Sequence, residues 1–350
     1  MQLIIFDQKK IIELNPEDID IANEARKYES TTHHLLSTLV PNNSIIVCQG
    51  AITENHSSEN YKIVELINHY KTYDRIIFAC NNGNAETLLE TCTQYKFILP
   101  FYIAAACANF FQSKNPKIVF FPEDELHCTY YPIIPQINPT KKFSCLNSNK
   151  WSHRILTYIH LYDKPYFNEI IFGWGRRTDW TLDFLEQEDF INDIVITDEE
   201  KIKLASMPKR ILAHPDDDTN HNDRTTNHIA YTDACLNIIT ETRSKNSTPQ
   251  LTEKSLKPIL SGQFFIMIGS SGLIQHMRVI GFDTFDDIID HSYDNIEDER
   301  ERISTAIKEL DRLNEVDLFE LHAQCKERFV KNQQWFKSPE FVAQFLPLKI

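Results

Sequence analysis

Glycine is scarce in this chain, and several patterns that define common protein classes are missing. Only 8 of the 350 residues are glycine, so each is expected where a side chain would not fit. None of the eight cysteines forms a Cys-x-x-Cys pair, which leaves a structural zinc site without support. No run of about 18 apolar residues occurs, so we expect no membrane span. No Gly-x-x-x-x-Gly-Lys-Ser/Thr loop is present, which argues against a phosphoryl transferase of that class.

Basic residues are also in deficit, and the formal net charge is −14. Proteins that hold long nucleic acid by bulk electrostatics usually need a basic face, so the charge argues against that class, although a local basic groove would suffice. The scattered cysteines are typical of buried thiols in a reducing compartment. The apolar run at 3–6 has no basic segment before it and no long apolar core after it, which argues against a secretory signal and predicts a cytoplasmic protein.

Short apolar runs alternate with helical periods along the chain, which is typical of a parallel sheet covered on both faces. The predicted strands are 3–6, 44–48, 75–80, 117–122, 142–146, 169–173, 236–240 and 264–268. The predicted helices include 16–38, 60–70, 84–95, 153–162, 230–236, 251–260, 274–280, 297–313 and 318–329. A proline-spaced segment at 131–139 predicts a connector. We therefore predict an α/β chain with an N-terminal domain at 1–140, a second domain at 141–335 and a tail at 336–350.

The strongest chemical signal is a polar helix start. Thr252, Glu253 and Lys254 place a hydroxyl, a carboxylate and an ammonium at a first turn, where backbone N–H groups favour anions. Lys257 shares a helix face with Lys254, so the two ammonium groups together suit a diphosphate, while Glu253 suits ribose or sugar hydroxyls. A Gly-Ser turn at 269–272 follows the next apolar strand, at the sheet edge where open α/β folds bind ligands. The plainer interpretation is a capped helix and an ordinary turn.

This region resembles the donor-site motif of the α-1,3-fucosyltransferases, in which Thr-Glu-Lys opens a helix and an apolar strand follows. It resembles more closely a set of viral, phage and bacterial glycosyltransferase-like proteins. Those proteins read Thr-Glu-Lys-x-x-Lys-Pro-Ile, then Pro-Phe-x-x-x-Gly, then an Asp-rich segment that begins Leu-Gly-Phe. The matching segments here are 252–259, 264–269 and 280–294, and a looser match at 143–154 extends the resemblance.

The resemblance implies a GT-B-like fold, with two Rossmann-type domains facing a central cleft and the nucleotide sugar held mainly by the C-terminal domain. It implies that Glu253 and Lys254 contact the nucleotide sugar and that an upstream arginine meets the diphosphate. The candidates for that arginine are Arg154, Arg176, Arg177 and Arg243. It also implies the cytoplasm of a bacterium or of a virus-infected host cell. The predicted donor-binding residues are Thr252, Glu253, Lys254, Lys257, Glu241, Arg154, Arg176, Arg177, Gly269 and Ser270.

Two loops that follow predicted strands contain further candidates. Arg176 and Arg177 come after two glycines, and their guanidinium groups suit a diphosphate, whereas the alternative is a solvent-facing loop. Glu123, Asp124 and Glu125 follow the strand at 117–122. A transferase that inverts configuration needs a general base for the acceptor hydroxyl, and we predict that base among these three carboxylates. The alternative is again a capped, solvated loop.

Two acidic patterns are interpreted without a metal. The run at 283–299 lacks the Asp-x-Asp-x-Asp-Gly spacing of a calcium loop, so we expect a structural role in which Asp294 pairs with Arg300. The segment 216–218 resembles a manganese-binding Asp-x-Asp motif but lies in a polar stretch, and GT-B enzymes generally need no such metal. We predict no metal site and no cofactor, with the nucleotide sugar as co-substrate.

The predicted activity is metal-independent transfer of a hexosyl or pentosyl group from a nucleotide sugar to an acceptor hydroxyl. The acceptor is left open among a glycan, a protein and modified DNA. One alternative is a phage-type DNA glycosyltransferase that acts on a hydroxymethylated base. A second alternative is a non-catalytic nucleotide-binding or scaffolding relative that has lost its base.

Overall fold

The computed structural model describes six N-terminal strands and the ranges 133–134, 138–147, 151–174, 194–208, 229–241, 244 and 251–343. The chain divides into two compact units. One comprises Met1–Tyr130 with Pro339–Ile350, and the other is Tyr131–Ser338. The predicted domain limits, 1–140 and 141–335, stay a prediction.

The first unit contains a six-stranded sheet with the order β2-β1-β3-β4-β5-β6. Its strands are β1 Gln2–Asp7, β2 Lys10–Leu14, β3 Ser44–Gln49, β4 Arg75–Cys80, β5 Phe101–Ala104 and β6 Ile118–Phe121. The pair β1–β2 is antiparallel and the other pairs are parallel. The four strands predicted in this unit are confirmed within a residue or two at each end. The helices predicted at 16–38, 60–70 and 84–95 lie outside the described residues.

Two strands of this sheet escaped prediction. β2 lies at the edge of the sheet and carries a lysine and a glutamate beside its isoleucines, which is typical of edge strands and weakens the apolar signal. β5 lies within a longer, mostly apolar stretch at 97–111, in which no alternation marks where a strand begins or ends.

The second unit contains a four-stranded parallel sheet with the order β10-β9-β7-β8. Its strands are β7 Lys141–Asn147, β8 Ile171–Trp174, β9 Ala234–Thr240 and β10 Phe264–Ile268. Every residue of β9 and β10 is buried, as is typical of parallel strands with both faces covered. Because the strands are parallel, their carboxyl ends lie along one edge of the sheet.

The helices described in the second unit are α1 Ser152–Tyr162, α2 Asp198–Ser206, α3 Ile229–Thr232, α4 Glu253–Ser261, α5 Leu273–Val279, α6 Glu299–Glu315, α7 Leu318–Gln324 and α8 Lys326–Phe336. A short helix, α9 Pro339–Ala343, belongs to the first unit. The helix predicted at 230–236 is wrong beyond Thr232, because the buried run from Ala234 pairs with β7 and β10 instead. The helix predicted at 318–329 is divided at Cys325 into α7 and α8.

The acidic run at 283–299 serves the fold. Arg328 donates to both carboxylate oxygens of Asp283 and of Asp287, and its guanidinium stacks 4.7 Å from the centre of the Phe285 ring. The predicted pair between Asp294 and Arg300 is wrong, since Arg300 binds Glu200 at 2.7 and 2.9 Å. The Asp294 carboxylate instead caps α5, as described below.

Two units, each built on its own largely parallel sheet, make up the molecule. The predicted α/β class, with two units that each contain a largely parallel sheet, is therefore confirmed, and a GT-B-like fold requires two such units. Among the described residues, no helix is long and apolar enough to cross a membrane.

Candidate functional site

The carboxyl edge of the second sheet brings together predicted site residues from three strand-to-helix connections. Arg154 lies in the first turn of α1, which follows β7. Glu241 follows β9 directly, and Thr252 is the N-cap residue of α4. Ser270 follows β10. This edge is where open α/β sheets hold their ligands.

The Glu241 carboxylate caps α4. Oε1 accepts a hydrogen bond from the Thr252 backbone N–H at 3.0 Å, and Oε2 accepts one from the Thr252 hydroxyl at 2.7 Å. The Ser255 hydroxyl also donates to Oε1. Glu241 is fully buried. The Glu241 carboxylate therefore neutralises part of the positive charge at the start of α4, which is where we predicted that the anion of the ligand binds.

The Glu241 backbone joins this helix start to the rest of the edge. Its N–H donates to the Ile268 carbonyl at the end of β10 at a distance of 2.8 Å. Its carbonyl accepts from His153 Nε2 at 2.7 Å and from Arg154 Nη2 at 3.1 Å. One residue thus connects β9, β10, α1 and α4.

Lys254 and Glu253 form an ion pair at the same helix start, and their side chains are 26% and 20% exposed. Burial alone would lower the pKa of the Lys254 ammonium, but the carboxylates of Glu253 and Glu241 raise it above its usual value. Burial would raise the pKa of Glu253, but Lys254 and Lys257 outweigh it and lower that pKa to about 2. Both groups are therefore charged at neutral pH.

Lys257 has different surroundings from Lys254 although the two share one side of α4. Its side chain is buried, and its ammonium lies 5.7 Å from the centre of the Tyr231 ring in α3. It acts electrostatically on Glu253, one turn earlier. Lys254 is thus the partly exposed cation of this helix start, whereas Lys257 is buried against the Tyr231 ring and attracts the Glu253 carboxylate.

The three helix starts at this edge are capped in different ways. Asp294 caps α5, since its carboxylate accepts from the backbone N–H groups of Ile274 at 3.1 Å and Gln275 at 3.0 Å. The N-cap residue of α1 is Trp151, which contributes no side-chain cap, and the first turn of α1 contains no acidic residue. Neither its N-cap side chain nor its first turn therefore supplies a carboxylate to the positive end of α1.

Two buried polar atoms at this edge, His153 Nδ1 and Ser270 Oγ, have no hydrogen-bond partner in the part of the chain that the structure describes. Burial, helped by the Arg154 charge, lowers the pKa of His153 to about 3, so the ring is neutral. The neighbouring Gly269 carbonyl accepts from Arg302 Nε at 2.9 Å. Sequence reasoning missed His153 as a site residue, and its only signal was the His-Arg pair at a helix start.

Other predicted site residues lie outside the described residues. These are Glu123, Asp124, Glu125, Arg176, Arg177 and, among the arginine candidates, Arg243. The segment 216–218 also lies outside them. Within the described ranges, no group of three or more His, Cys, Asp or Glu side chains is placed to hold a metal ion. The metal independence of the reaction stays a prediction.

No protein-family model matches the sequence, and neither does any curated protein. The resemblance to fucosyltransferase-like proteins therefore rests on the motif residues alone.

Several solved structures are similar to this chain at 11% sequence identity. One is described as trehalose-6-phosphate from E. coli bound with UDP-2-fluoro glucose, with a TM-score of 0.43 over 93% of this chain and 79% of that chain. Another is T4 phage BGT in complex with UDP and Mn2+, with a TM-score of 0.30 over 86% and 83%. A third is OtsA in its apo form, with a TM-score of 0.41 over 94% and 80%. With TM-scores this low, neither the fold nor the function of this chain rests on these structures.

Proposed function

We propose that the protein is a glycosyltransferase that moves a hexosyl or pentosyl group from a nucleotide sugar to an acceptor hydroxyl. The observation that carries the proposal is the gathering of Arg154 and Lys254 around Glu241 at the carboxyl edge of a parallel sheet. Arg154 bonds to the Glu241 carbonyl, and the Glu241 carboxylate acts electrostatically on Lys254. Two cations close enough to act on each other beside one residue suit the two phosphates of a nucleoside diphosphate.

Lys254 and Arg154 are placed to stabilise the charge that develops during transfer of the sugar. As the bond from the sugar to the diphosphate breaks, negative charge develops on the leaving nucleoside diphosphate. Lys254 and Arg154 stabilise that charge, and they do so more strongly at a largely buried edge than in water. Glu253 stays ionised, with a pKa of about 2, and accepts hydrogen bonds from ribose or sugar hydroxyls. The motif resemblance of 252–259 and 280–294 supports the same assignment.

The other half of the reaction is assigned to the first unit. We propose that one of Glu123, Asp124 and Glu125 takes the proton of the acceptor hydroxyl as that oxygen attacks the anomeric carbon. The acceptor is a glycan, a protein or modified DNA. Retention on immobilised DNA that falls steeply with salt would identify the DNA acceptor, because binding to phosphates releases counterions.

The proposal is tested with the wild-type protein and a panel of GDP-, UDP- and CMP-sugars. We expect one nucleotide sugar to raise the melting temperature and to be slowly hydrolysed, with release of the nucleoside diphosphate. The hydrolysis should persist in EDTA, since the two side-chain cations replace a metal in neutralising the diphosphate. Binding without hydrolysis would identify the non-catalytic relative. A folded protein that responds to none of the donors would contradict the proposal.

A further inference from the structure

We propose that His153 is a binding residue whose Nδ1 accepts a hydrogen bond from a hydroxyl of the nucleotide sugar, directly or through one bound water. The inference rests on the proposed function and adds a residue that the motif resemblance does not assign. His153 lies in the first turn of α1, immediately before Arg154, at the edge of the sheet where Lys254 also lies.

The hydrogen bond to Glu241 fixes the tautomer of the His153 ring. A backbone carbonyl only accepts hydrogen bonds, so Nε2, which lies 2.7 Å from the Glu241 carbonyl oxygen, carries the proton. In a neutral ring Nδ1 is then unprotonated, and its lone pair can accept a hydrogen bond. The low pKa of His153, which burial and the Arg154 charge cause, keeps the ring in this neutral form throughout the physiological range.

This acceptor lacks the partner that a buried polar atom normally has. His153 is fully buried, and among the described residues nothing donates to Nδ1. Most buried polar side-chain atoms in proteins are hydrogen-bonded, and exceptions mark missing waters, ligands or functional strain. Ser270 Oγ, after β10, is a second buried atom of this kind. Both atoms lie beside Glu241, since its carbonyl accepts from His153 Nε2 and its N–H donates to the Ile268 carbonyl, two residues before Ser270.

The acceptor character of Nδ1 selects the part of the ligand that it contacts. Phosphate oxygens at neutral pH are acceptors, so they would face the lone pair of Nδ1 without a proton between them. A hydroxyl carries that proton. Arg154 and Lys254 therefore match the diphosphate, and His153 matches a hydroxyl of the sugar or of the ribose next to it.

Two substitutions separate the two ring nitrogens. His153→Gln places an amide N–H where Nε2 donates to Glu241 but has no acceptor at the Nδ1 position. His153→Asn places an oxygen near the Nδ1 position but loses the bond to Glu241. We expect the glutamine variant to melt near the wild-type temperature and to bind the nucleotide sugar about 3- to 10-fold more weakly. We expect the asparagine variant to melt lower and, below its melting temperature, to bind more tightly than the glutamine variant.

The sugar-free nucleoside diphosphate identifies the hydroxyl. If its affinity is unchanged in His153→Gln, the hydroxyl belongs to the transferred sugar, and if it falls equally, the hydroxyl belongs to the ribose. In the wild-type protein, the 15N shift of His153 Nδ1 should move on saturation with the nucleotide sugar. Wild-type affinity in the glutamine variant, or an unmoved 15N shift, overturns the inference and leaves the proposed function standing. A wild-type protein that binds no nucleotide overturns both.

Discussion

Replacing Glu241 by alanine and by glutamine separates the hydrogen bonds of this residue from its charge. In Glu241→Ala, the Thr252 N–H, the Thr252 hydroxyl and the Ser255 hydroxyl lose their acceptor in a buried place. Hydrogen bonds to a charged group contribute about 1.5–3 kcal/mol each, and contributions within one cluster do not add fully. We expect the free energy of unfolding to fall by about 4 kcal/mol.

Glutamine keeps most of this arrangement. Its amide oxygen accepts from the Thr252 N–H and the Ser255 hydroxyl, and its amide nitrogen donates to the Thr252 hydroxyl, which can also act as an acceptor. Three charge-assisted bonds become neutral ones of roughly half the strength, so we expect Glu241→Gln to cost about 1–2 kcal/mol. Urea unfolding at pH 7.5 measures both values. A glutamine variant as unstable as the alanine variant would refute this account of the cap.

Ligand affinity then distinguishes a positioning role for Glu241 from the ligand contact that the sequence predicted. The glutamine variant removes a negative charge beside Arg154 and Lys254, so it should bind the nucleoside diphosphate as tightly as the wild type or more tightly. A carboxylate that contacts the ligand hydroxyls would instead weaken nucleotide-sugar binding when lost. Glu309→Gln is the control, since Glu309 is another buried carboxylate that accepts a backbone N–H, that of Asp290 at 2.9 Å.

Two further predictions concern backbone strain and buried charge. Gly281 and Gly262 both have positive φ, but a Cβ on Gly281 would lie 2.7 Å from Trp335 Nε1, whereas one on Gly262 would lie 3.4 Å from Phe329 Cβ. Urea unfolding should show that Gly281→Ala costs about 3 kcal/mol and Gly262→Ala about 1 kcal/mol, and equal costs would contradict the steric reasoning. Burial lowers the pKa of His276 from 6.5 to about 3, so its neutral form stabilises the fold above pH 6.5 and that stability is lost as the pH falls towards 3. Relative to wild type, His276→Leu should gain about 1.4 kcal/mol between pH 7.5 and 5.5, and a pH-independent difference would contradict this.

The sequence predicted the parts of the site that depend on neighbours along the chain. The apolar runs placed β9 and β10, and Thr252 with its following acidic and basic residues marked the start of α4. The role of Glu241 as the cap of α4 was not visible, because it depends on how the end of β9 meets a helix start 11 residues later. The bond from Arg154 to Glu241 spans 87 residues, so it follows from the strand order and not from neighbours along the chain.

The partners of the acidic run and the protonation of His153 depend on hydrogen bonds between residues that are distant in the sequence. The sequence predicted a structural role for the run at 283–299 without its partners, and the pairing of Asp283 and Asp287 with Arg328 assigns those two carboxylates to the fold. The tautomer of His153, and with it the bare Nδ1, follows from a contact with a carbonyl 88 residues away. Composition and periodicity contain no information of that kind.

The central claim is that Lys254 holds the diphosphate of the donor, and the most direct measurement is a calorimetric titration of the sugar-free nucleoside diphosphate. Lys254→Ala is compared with Lys308→Ala, which removes an exposed helix lysine from α6. If Lys254 donates a hydrogen bond to the charged diphosphate, Lys254→Ala should weaken binding about tenfold or more. Lys308→Ala should leave the affinity unchanged. A folded Lys254→Ala protein that binds the nucleoside diphosphate with wild-type affinity would contradict the claim.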